Sequence, residues 1–351
     1  MASSVWEQDF IVGKKLVAGR ELPVVGAELS AADRLGGCKA RWGIGRMDYT
    51  VFPGLYALGD PGPDAPLLAT ANYKLTFDAL RRSLPGRGVW ILALDTNGIN
   101  VWCAAGKGTM GTDNLVWALS HHRVAEVVNH RRVIAPQLAA PGVSAHRVKK
   151  QSGFQVAFGP IRSVDLPAYL DNGQRPTPAM RRVEFPWRDR LVLAPMELAP
   201  ALKIAAPAAL ALALLASLLG TGPFARNLAG PGFFACAAFL AASLAGSVLG
   251  PALLPFLPGR AFALKGLWLG LAWSGLTLWA LAAALPAHLG WTAALAWVLL
   301  PTALVSFLLM NFTGSSTYTS LSGVKAEMRL AVPLQAAAAL AGLVFWALSL
   351  L

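Results

Sequence analysis

Residues 89–112 read VWILALDTNGINVWCAAGKGTMGT, an apolar run followed by a glycine-bounded turn of helix. The apolar run predicts a buried strand at Val89–Asp95. Similar runs alternate with helical patterns along the first half of the chain. The other predicted strands are Leu67–Ala71, Val124–Val128, Val133–Ala135 and Phe154–Phe158, and the predicted helices are Tyr73–Leu84, Asp113–Ser120 and Ala145–Gln151, capped by Asn72, Thr112 and Ser144. This alternation predicts an α/β domain whose ligand lies beyond the carboxyl ends of the strands.

The composition changes near residue 200. Residues 1–200 hold 24 of the 30 Lys+Arg and 17 of the 18 Asp+Glu, and the one later acid is Glu327. Five apolar stretches follow, each close to the roughly 20 residues that a membrane-spanning helix needs. They are 202–219, 232–250, 262–285, 289–310 and 330–351. The sequence therefore predicts an α/β domain over residues 1–180, a basic and aromatic juxtamembrane linker over 181–200, and an all-α transmembrane domain of five helices over 201–351.

The charges of the loops predict which way the transmembrane domain is oriented. Two loops contain pairs of basic residues, Arg260 with Lys265 and Lys325 with Arg329, whereas the turn at 286–288 has no Lys or Arg. Because basic loops stay in the cytoplasm, residues 1–200 are predicted to be cytoplasmic and the C-terminus to lie outside. Residues 1–10 lack the apolar core of a signal peptide, which agrees with this orientation. The apolar cores contain almost no charge, which favours a membrane anchor and docking platform over a transporter.

Charge and cysteine content narrow the function further. The formal charge is +12, but residues 1–200 have no Lys/Arg run longer than two and no aromatic stacking motif, so we expect no nucleic-acid partner. The chain has three widely spaced cysteines, Cys38, Cys103 and Cys236. Four soft ligands are the norm for an iron–sulfur cluster or a structural zinc site. We therefore expect neither to be held by this chain alone.

The glycine-rich turn after Val89–Asp95 is open to several interpretations. A phosphate-binding loop fails because Val101 and Gly108 occupy two required positions. A Gly-x-Gly-x-x-Gly pattern is present at 106, 108 and 111, but it does not follow the strand directly. Cys103 is either a small core residue or a reactive thiol, and Lys107 one helical turn later favours the thiolate. With no second Cys or nearby His, a metal bound by Cys103 would have to arrive inside its own cofactor.

Residues 100–107, NVWCAAGK, resemble the cap-helix motif of the HgcA family, the membrane-anchored corrinoid proteins of microbial mercury methylation. Five C-terminal spans are also typical of that family. Further resembling segments are Pro53–Gly59, Thr70–Asp78, Asn129–Arg132, Pro136–Leu138, Gly142–His146 and Gly159-Pro160. The first half is also similar to the corrinoid domain of the corrinoid iron–sulfur protein large subunit, which lacks a Cys at position 103. The resemblance implies a Rossmann-like corrinoid-binding domain.

It also implies a cofactor, a reaction and partners. The Cys103 thiolate would be the lower axial ligand of the cobalt in a cobalamin-type corrinoid, and it would act in methyl transfer to Hg(II). The methyl donor would be of the methyl-tetrahydrofolate type, and the electron donor would be a ferredoxin-like, HgcB-like protein with two [4Fe–4S] clusters. The cap-helix residues expected to position Cys103 against the corrinoid are Asn100, Val101, Trp102, Ala104, Ala105, Gly106 and Lys107.

Other cofactor contacts are predicted from their position after strands or in glycine turns. They are Thr70, Asn72, Thr96, Thr109, Gly142, Val143 and Gly159, and each could equally be a cap or turn residue. Two other functions remain open. One is a membrane-anchored corrinoid methyl carrier in one-carbon or acetyl-CoA metabolism. The other is a transporter with a nucleotide-binding regulatory domain.

Overall fold

The structure is a computed structural model that describes residues 4–315 and 321–351. Residues 316–320, shortly before Lys325 and Arg329 of the second predicted basic loop, and residues 1–3, the start of the segment that lacks a signal-peptide core, lie outside the described residues. Two compact units are present: one is formed by residues 4–40 and 44–183, and the other by residues 41–43 and the described part of 184–351. We call them the α/β unit and the helical unit.

A seven-stranded mixed sheet forms the centre of the α/β unit. Its strands are β1 Ile11–Val17, β2 Arg20–Val25, β3 Gly54–Leu58, β4 Leu67–Ala71, β5 Val89–Leu94, β6 Arg132–Ala135 and β7 Gln155–Phe158, and they lie in the order β1-β2-β3-β5-β4-β6-β7. Strands β5, β4, β6 and β7 are mutually parallel, whereas β3 runs antiparallel to β5. The carboxyl ends of four neighbouring strands therefore lie at the same edge.

Helices cover both faces of this sheet. They are α1 Ala31–Arg41, α2 Lys74–Arg82, α3 Val101–Lys107, α4 Thr112–His121, α5 Ala145–Ser152 and α6 Leu166–Asp171. Every residue of β5 is buried, and its side chains alternate between two apolar clusters. Trp90, Leu92 and Leu94 join the cluster that contains residues of α3, α4 and α5. Val89, Ile91 and Ala93 join the cluster that contains residues of α2 and α6. This burial on both faces explains why β5 reads as a continuous apolar run.

Four of the predicted strands are confirmed to within two residues, and they correspond to β4, β5, β6 and β7. The predicted strand Val124–Val128 is wrong, because Val124–Glu126 is a 3₁₀ turn. Its valines are buried in the same cluster as Leu92, and this burial produces the apolar run without a strand. The strands β1, β2 and β3 were not predicted. The three predicted helices are confirmed as α2, α4 and α5.

Among the residues that the structure describes, the helical unit contains five helices that are long and apolar enough to cross a membrane. They are α7 Trp187–Leu219, α8 Phe224–Leu253, α9 Phe262–Ala284, α10 Trp291–Asn311 and α11 Leu321–Leu348. Helix α7 begins at Trp187, so residues 187–200 of the predicted linker are helical. A Cβ atom at Gly266 would lie 2.6 Å from Ser306 Cα, and one at Gly270 would lie 2.7 Å from Thr302 Cα. Small residues thus allow α9 and α10 to pack closely.

Candidate functional site

A loop follows each of the four parallel strands, and these four loops lie at one edge of the sheet. Asn72 follows β4, Asp95–Asn100 follow β5, Pro136 follows β6 and Gly159 follows β7. Helix α3, which contains Cys103, begins at the end of the second of these loops. The sequence prediction that the site lies after β5 therefore corresponds to the carboxyl edge, where ligands bind in sheets of this kind.

Asn72 organises the loop between β5 and α3. Its Oδ1 accepts hydrogen bonds from Thr96 N and Thr96 Oγ1, both 2.9 Å long, and from Gly98 N at 3.2 Å. Ile99 O lies 2.7 Å from Thr96 Oγ1, so it shares the one hydroxyl hydrogen of Thr96 with Asn72 Oδ1. Asn72 and Thr96 are buried. Their polar atoms therefore bond within the chain and fix the path to α3. The prediction that Asn72 caps α2 is wrong, because Tyr73 is the N-cap residue.

Helix α3 presents Cys103 on its exposed side. The Asn100 side chain accepts a hydrogen bond from Cys103 N at 2.9 Å, which makes Asn100 the N-cap of the helix. Gly108, with φ 84°, ends the helix in the left-handed conformation. Along α3 the burial follows the helical period. Val101, Ala104 and Ala105 are buried, whereas Trp102, Cys103, Gly106 and Lys107 are exposed. The thiol is therefore accessible on a short helix fixed at both ends.

Gly142 packs against the C-terminal end of α3. A Cβ atom there would lie 2.5 Å from Met110 O and 3.0 Å from Ala105 O, so only glycine fits without movement of the backbone. Gly142 O accepts a hydrogen bond from Thr112 N at 3.1 Å. Thr112 is the first residue of α4, and the N-cap position belongs to Gly111, so the predicted Thr112 cap is wrong. Its hydroxyl instead accepts a hydrogen bond from Ser144 N.

Two other predicted contacts have internal roles. Val143 is buried in the main apolar cluster. Thr109 Oγ1 donates to Ala104 O at 3.5 Å. Together with Gly142, these residues stabilise the C-terminal end of α3. They were predicted as cofactor contacts, and their positions in the structure give them packing and hydrogen-bonding functions.

A cavity of about 400 Å³ opens at the same edge. Of the predicted site residues, Thr70, Asn100, Val101, Trp102 and Gly159 line it. Among the described lining residues Cys103 is absent, and it lies on α3 next to two residues that line the cavity. The wall is mostly apolar. Lining residues that the sequence did not predict are Leu75, Thr76 and Ala79 of α2, Leu138, and the segment around Ile161, Ser163 and Leu166. The resembling segment Thr70–Asp78 already included Leu75 and Thr76, and the segment Pro136–Leu138 included Leu138.

The donor set fits a metal that arrives inside a macrocycle. Within residues 4–315 and 321–351, no group of three or more His, Cys, Asp or Glu side chains could hold a metal ion alone. Cys103 is nevertheless an exposed soft donor on a fixed helix. Apart from its chain neighbours and the backbone of its own helix, a Cβ atom at Gly106 would have no described atom within 4 Å. The backbone there is therefore open to close approach. One exposed soft donor, with an open glycine on the same helix and an apolar cavity at the same edge of the sheet, fits a cofactor that brings its own metal.

Comparison with known proteins finds similarity in the α/β unit. Residues 45–170 match the family model CdhD, described as CO dehydrogenase/acetyl-CoA synthase delta subunit. This match is consistent with the corrinoid-binding domain predicted from the sequence.

Similar proteins include the acetyl-CoA decarbonylase/synthase complex subunit gamma of three archaea. The Archaeoglobus fulgidus protein is 32% identical over 133 residues, which are 37% of this chain and 28% of the relative. The Methanosarcina acetivorans protein is 30% identical over 135 residues, again 37% and 28%. The Methanopyrus kandleri protein is 29% identical over 128 residues, 36% of this chain and 27% of the relative. The chain thus spans little more than a quarter of these relatives. The finer resemblance to the HgcA family stays a prediction.

Proposed function

We propose that this chain is a membrane-anchored corrinoid protein that acts in methyl transfer, with the Cys103 thiolate as the lower axial ligand of cobalt. The observation that carries the proposal is the exposed Cys103 on α3, at the carboxyl edge of the sheet. This part of the α/β unit lies within residues 45–170, which match the CdhD model. A bound corrinoid would supply a cobalt centre that accepts and releases a methyl group, and its axial ligand tunes that chemistry.

The residues of this chain would fix the thiol before the cofactor binds. Asn100 bonds the backbone of Cys103, while Ala104 and Ala105 hold the inner side of α3 in the core. Gly142 supports the other end of the helix. Such preorganisation lowers the cost of ordering the ligand on binding.

The cavity supplies the remaining cofactor contacts in this proposal. Thr70, Trp102 and Gly159 line it and would contact the corrinoid or its side chains. Trp102 is exposed, so its ring offers an apolar surface beside the thiol. Thr70 is one of the few polar groups in the wall and could orient an amide by a hydrogen bond.

Two methyl acceptors are supported by different observations. The similarity to acetyl-CoA decarbonylase/synthase gamma subunits favours a methyl carrier in one-carbon or acetyl-CoA metabolism, and it supports this function better than mercury methylation. The eight-residue motif around Cys103 favours Hg(II) as acceptor, because the related corrinoid domain lacks this Cys. Since the relatives are named as subunits of a complex, we also propose that the chain works with protein partners, an electron-donating ferredoxin-like protein among them.

Spectroscopy on the full chain tests the ligand assignment. The purified protein loaded with a cobalamin should show a corrinoid visible spectrum and a cobalt–sulfur distance in X-ray absorption. Cys103→Ala should lose the cobalt–sulfur feature. Cys38→Ser is the matched control, because Cys38 is also exposed and should leave the feature intact. A colourless protein that binds nucleotide would support the transporter function instead, and a sulfur feature unchanged in Cys103→Ala would refute the ligand.

A competition between acceptors separates the two functions. The methylated protein is offered Hg(II) in one reaction and a nickel or thiol acceptor in another. Transfer to Hg(II) that needs Cys103 supports mercury methylation. Efficient transfer to the nickel or thiol acceptor, with little to Hg(II), supports the carrier function.

A further inference from the structure

A second cavity, of about 470 Å³, lies inside the helical unit between α9, α10 and α11. Its wall is mostly apolar and includes Leu267 of α9, Ala303 of α10, and Leu330 and Leu334 of α11. The exposed fraction is 71% for Leu330 and 62% for Leu334. Because these lining residues are also exposed, the cavity opens sideways, to the surface that lipid would cover if the helices cross a membrane. An occupant can therefore enter from the bilayer.

Three polar side chains of the wall form one chain of hydrogen bonds around Ala263, in the first turn of α9. Glu327 Oε1 accepts from Ala263 N at 2.5 Å, and Ser306 Oγ donates to Ala263 O at 2.8 Å. Gln335 Nε2 donates to Ser306 Oγ at 2.8 Å. Since the one hydroxyl hydrogen of Ser306 goes to Ala263 O, the amide of Gln335 must be the donor, and its oxygen is left as an acceptor. The fourth polar lining residue, Thr302, bonds to a serine hydroxyl of α9.

The groups that this chain of hydrogen bonds leaves open are both acceptors. Gln335 Oε1 is buried and has no partner among the described residues. Glu327 forms its one hydrogen bond there through Oε1, and no described Lys, Arg or His pairs with it. Lys265, also on α9, instead donates to Leu254 O and Leu257 O. The complementary occupant is therefore an apolar molecule that presents N–H donors and a positive charge.

The length of the cavity matches one leaflet of a bilayer. Glu327 lies near the start of α11 and bonds the first turn of α9, so it lies at the end of the helices, where headgroups would be. Ala338, also in the wall, is eleven residues further along α11, or about 16 Å. Half of the hydrocarbon core is about 15 Å thick. The cavity thus extends from the headgroup level to about the middle of the bilayer.

We propose that this cavity holds one acyl chain of a phosphatidylethanolamine, whose primary ammonium binds Glu327. That ammonium has positive charge and three N–H donors for the open acceptors. The quaternary ammonium of phosphatidylcholine has no N–H, and phosphatidylglycerol would bring a negative charge beside the carboxylate. Exposed basic residues for the lipid phosphate lie close in sequence to the same end: Arg260 precedes the lining residue Ala261, and Lys325 and Arg329 flank Glu327. This inference is independent of the corrinoid.

Native mass spectrometry of the full chain, released from a mild detergent, tests the lipid preference. The protein is offered an equal mixture of phosphatidylethanolamine and phosphatidylcholine with identical acyl chains. We expect about tenfold more bound phosphatidylethanolamine, the factor that one charge-assisted hydrogen bond supplies. The singly and doubly N-methylated lipids keep N–H donors and should still bind better than phosphatidylcholine. Equal binding of the two lipids by the unaltered protein would overturn the proposal.

Glu327→Gln places the preference at one side chain. Its amide oxygen keeps the bond from Ala263 N, but an NH₂ group replaces the open acceptor and the charge is lost. The ratio of the two bound lipids should then fall to about one. Glu197→Gln is the matched control, because Glu197 is also a half-buried acid of the helical unit and is absent from the described wall. An unchanged ratio in Glu327→Gln would refute the site.

Ala331→Phe tests where the acyl chain lies. The larger side chain would occupy the cavity from α11 and should lower the binding of both lipids, whatever their headgroup. Full binding in this variant would place the lipid elsewhere and overturn the proposal. So would a lipid-free dimer of the unaltered protein, because a second copy of the chain would then cover the opening.

Discussion

At the scale of single residues, two glycines near Cys103 differ in what surrounds them. A Cβ atom added at Gly142 would lie 2.5 Å from Met110 O, whereas a Cβ atom added at Gly106 would lie in open space. Gly142→Ala should therefore lower the free energy of unfolding of the α/β unit by about 1–3 kcal/mol, since the backbone must move. Gly106→Ala should leave it unchanged or raise it by about 0.5–1 kcal/mol, because alanine favours a helix. Pulse proteolysis in urea on the cofactor-free protein measures both. Equal stability of the two variants would contradict this packing.

The N-cap of α3 gives a second prediction at this scale. Asn100→Ala removes the acceptor for Cys103 N and should destabilise the first turn by about 1 kcal/mol. The amide of Cys103 should then exchange its hydrogen about fivefold faster, as follows from that energy. Asn100→Asp keeps the acceptor and is the control. Hydrogen exchange followed by mass spectrometry checks both, and a protection pattern unchanged in Asn100→Ala would show that the cap does not hold the helix.

At the scale of secondary-structure elements, a buried ionic cluster joins α1 to α2. Arg81 is fully buried and bonds Asp33 Oδ2 at 2.7 Å and Asp78 Oδ1 at 2.8 Å. It also donates to Gly26 O and Glu28 O in the segment before α1. Lys74 bonds both acids from the other side. The cluster fixes the segment that leads into α1.

Removing one member of this cluster should be costly. Arg81→Met leaves two buried carboxylates with Lys74 as their shared cation among the described groups, and the loss of a partner from a buried ion pair costs about 3–5 kcal/mol. Urea denaturation of the α/β unit measures this loss. Arg82→Met is the matched control, because Arg82 is the next residue of α2 and is exposed. Similar losses in both variants would contradict a specific role of the buried cluster.

The cluster also predicts how stability depends on pH. Burial raises the pKa of Asp33, but hydrogen bonds from Lys74 and Arg81 lower this pKa by more than burial raises it. The pKa of Asp33 therefore lies well below its usual value. Since the unfolded pKa is about 3.9, the folded state binds fewer protons, and its extra stability is present above that pH. The stability should fall as the pH drops below about 4. Arg81→Met should show a shallower fall between pH 4 and 2 in acid-denaturation curves, and parallel curves would refute the linkage.

Local pattern predicted the elements that are buried on both faces, such as β4 and β5, and the helices α2, α4 and α5. It missed the hairpin of β1 and β2, since β1 contains Lys14 and Lys15 and turns at Ala18, a non-glycine residue with φ 48°. It took Val124–Val128 for a strand because burial alone makes an apolar run. The local sequence cannot distinguish a paired strand from a buried turn, because the pairing of β2 with β3 depends on segments that are distant in sequence.

The site was predictable in the same unequal way. Cys103 and its cap Asn100 are local, three residues apart, and the motif contains both. The network of Asn72 with Thr96 and the contact of Gly142 with Met110 join segments that are distant in sequence. Asn72, Thr96 and Gly142 were predicted as cofactor contacts, whereas Met110 was not, and the contacts of all four inside the chain required the three-dimensional structure.

At the scale of the whole molecule, the two units differ in how many acidic residues they contain. The α/β unit holds 14 of the 18 acidic residues, whereas residues 201–351 of the helical unit contain one, Glu327. Glu327 accepts a hydrogen bond from Ala263 N, and it thereby caps the start of α9 from another helix. Glu327 therefore stabilises the start of α9.

The orientation of the helical unit in the membrane is the last prediction. If all five helices cross, the loop between α8 and α9 and the turn between α9 and α10 lie on opposite sides. Phe256, in the first, is 81% exposed, and His288, in the second, is also exposed. In a background without native cysteines, Phe256→Cys should react with a membrane-impermeant maleimide only after the cells are opened, because its loop contains Arg260. His288→Cys should react in intact cells. The reverse pattern would place the α/β unit outside, and equal labelling of both would rule out a complete crossing by α9.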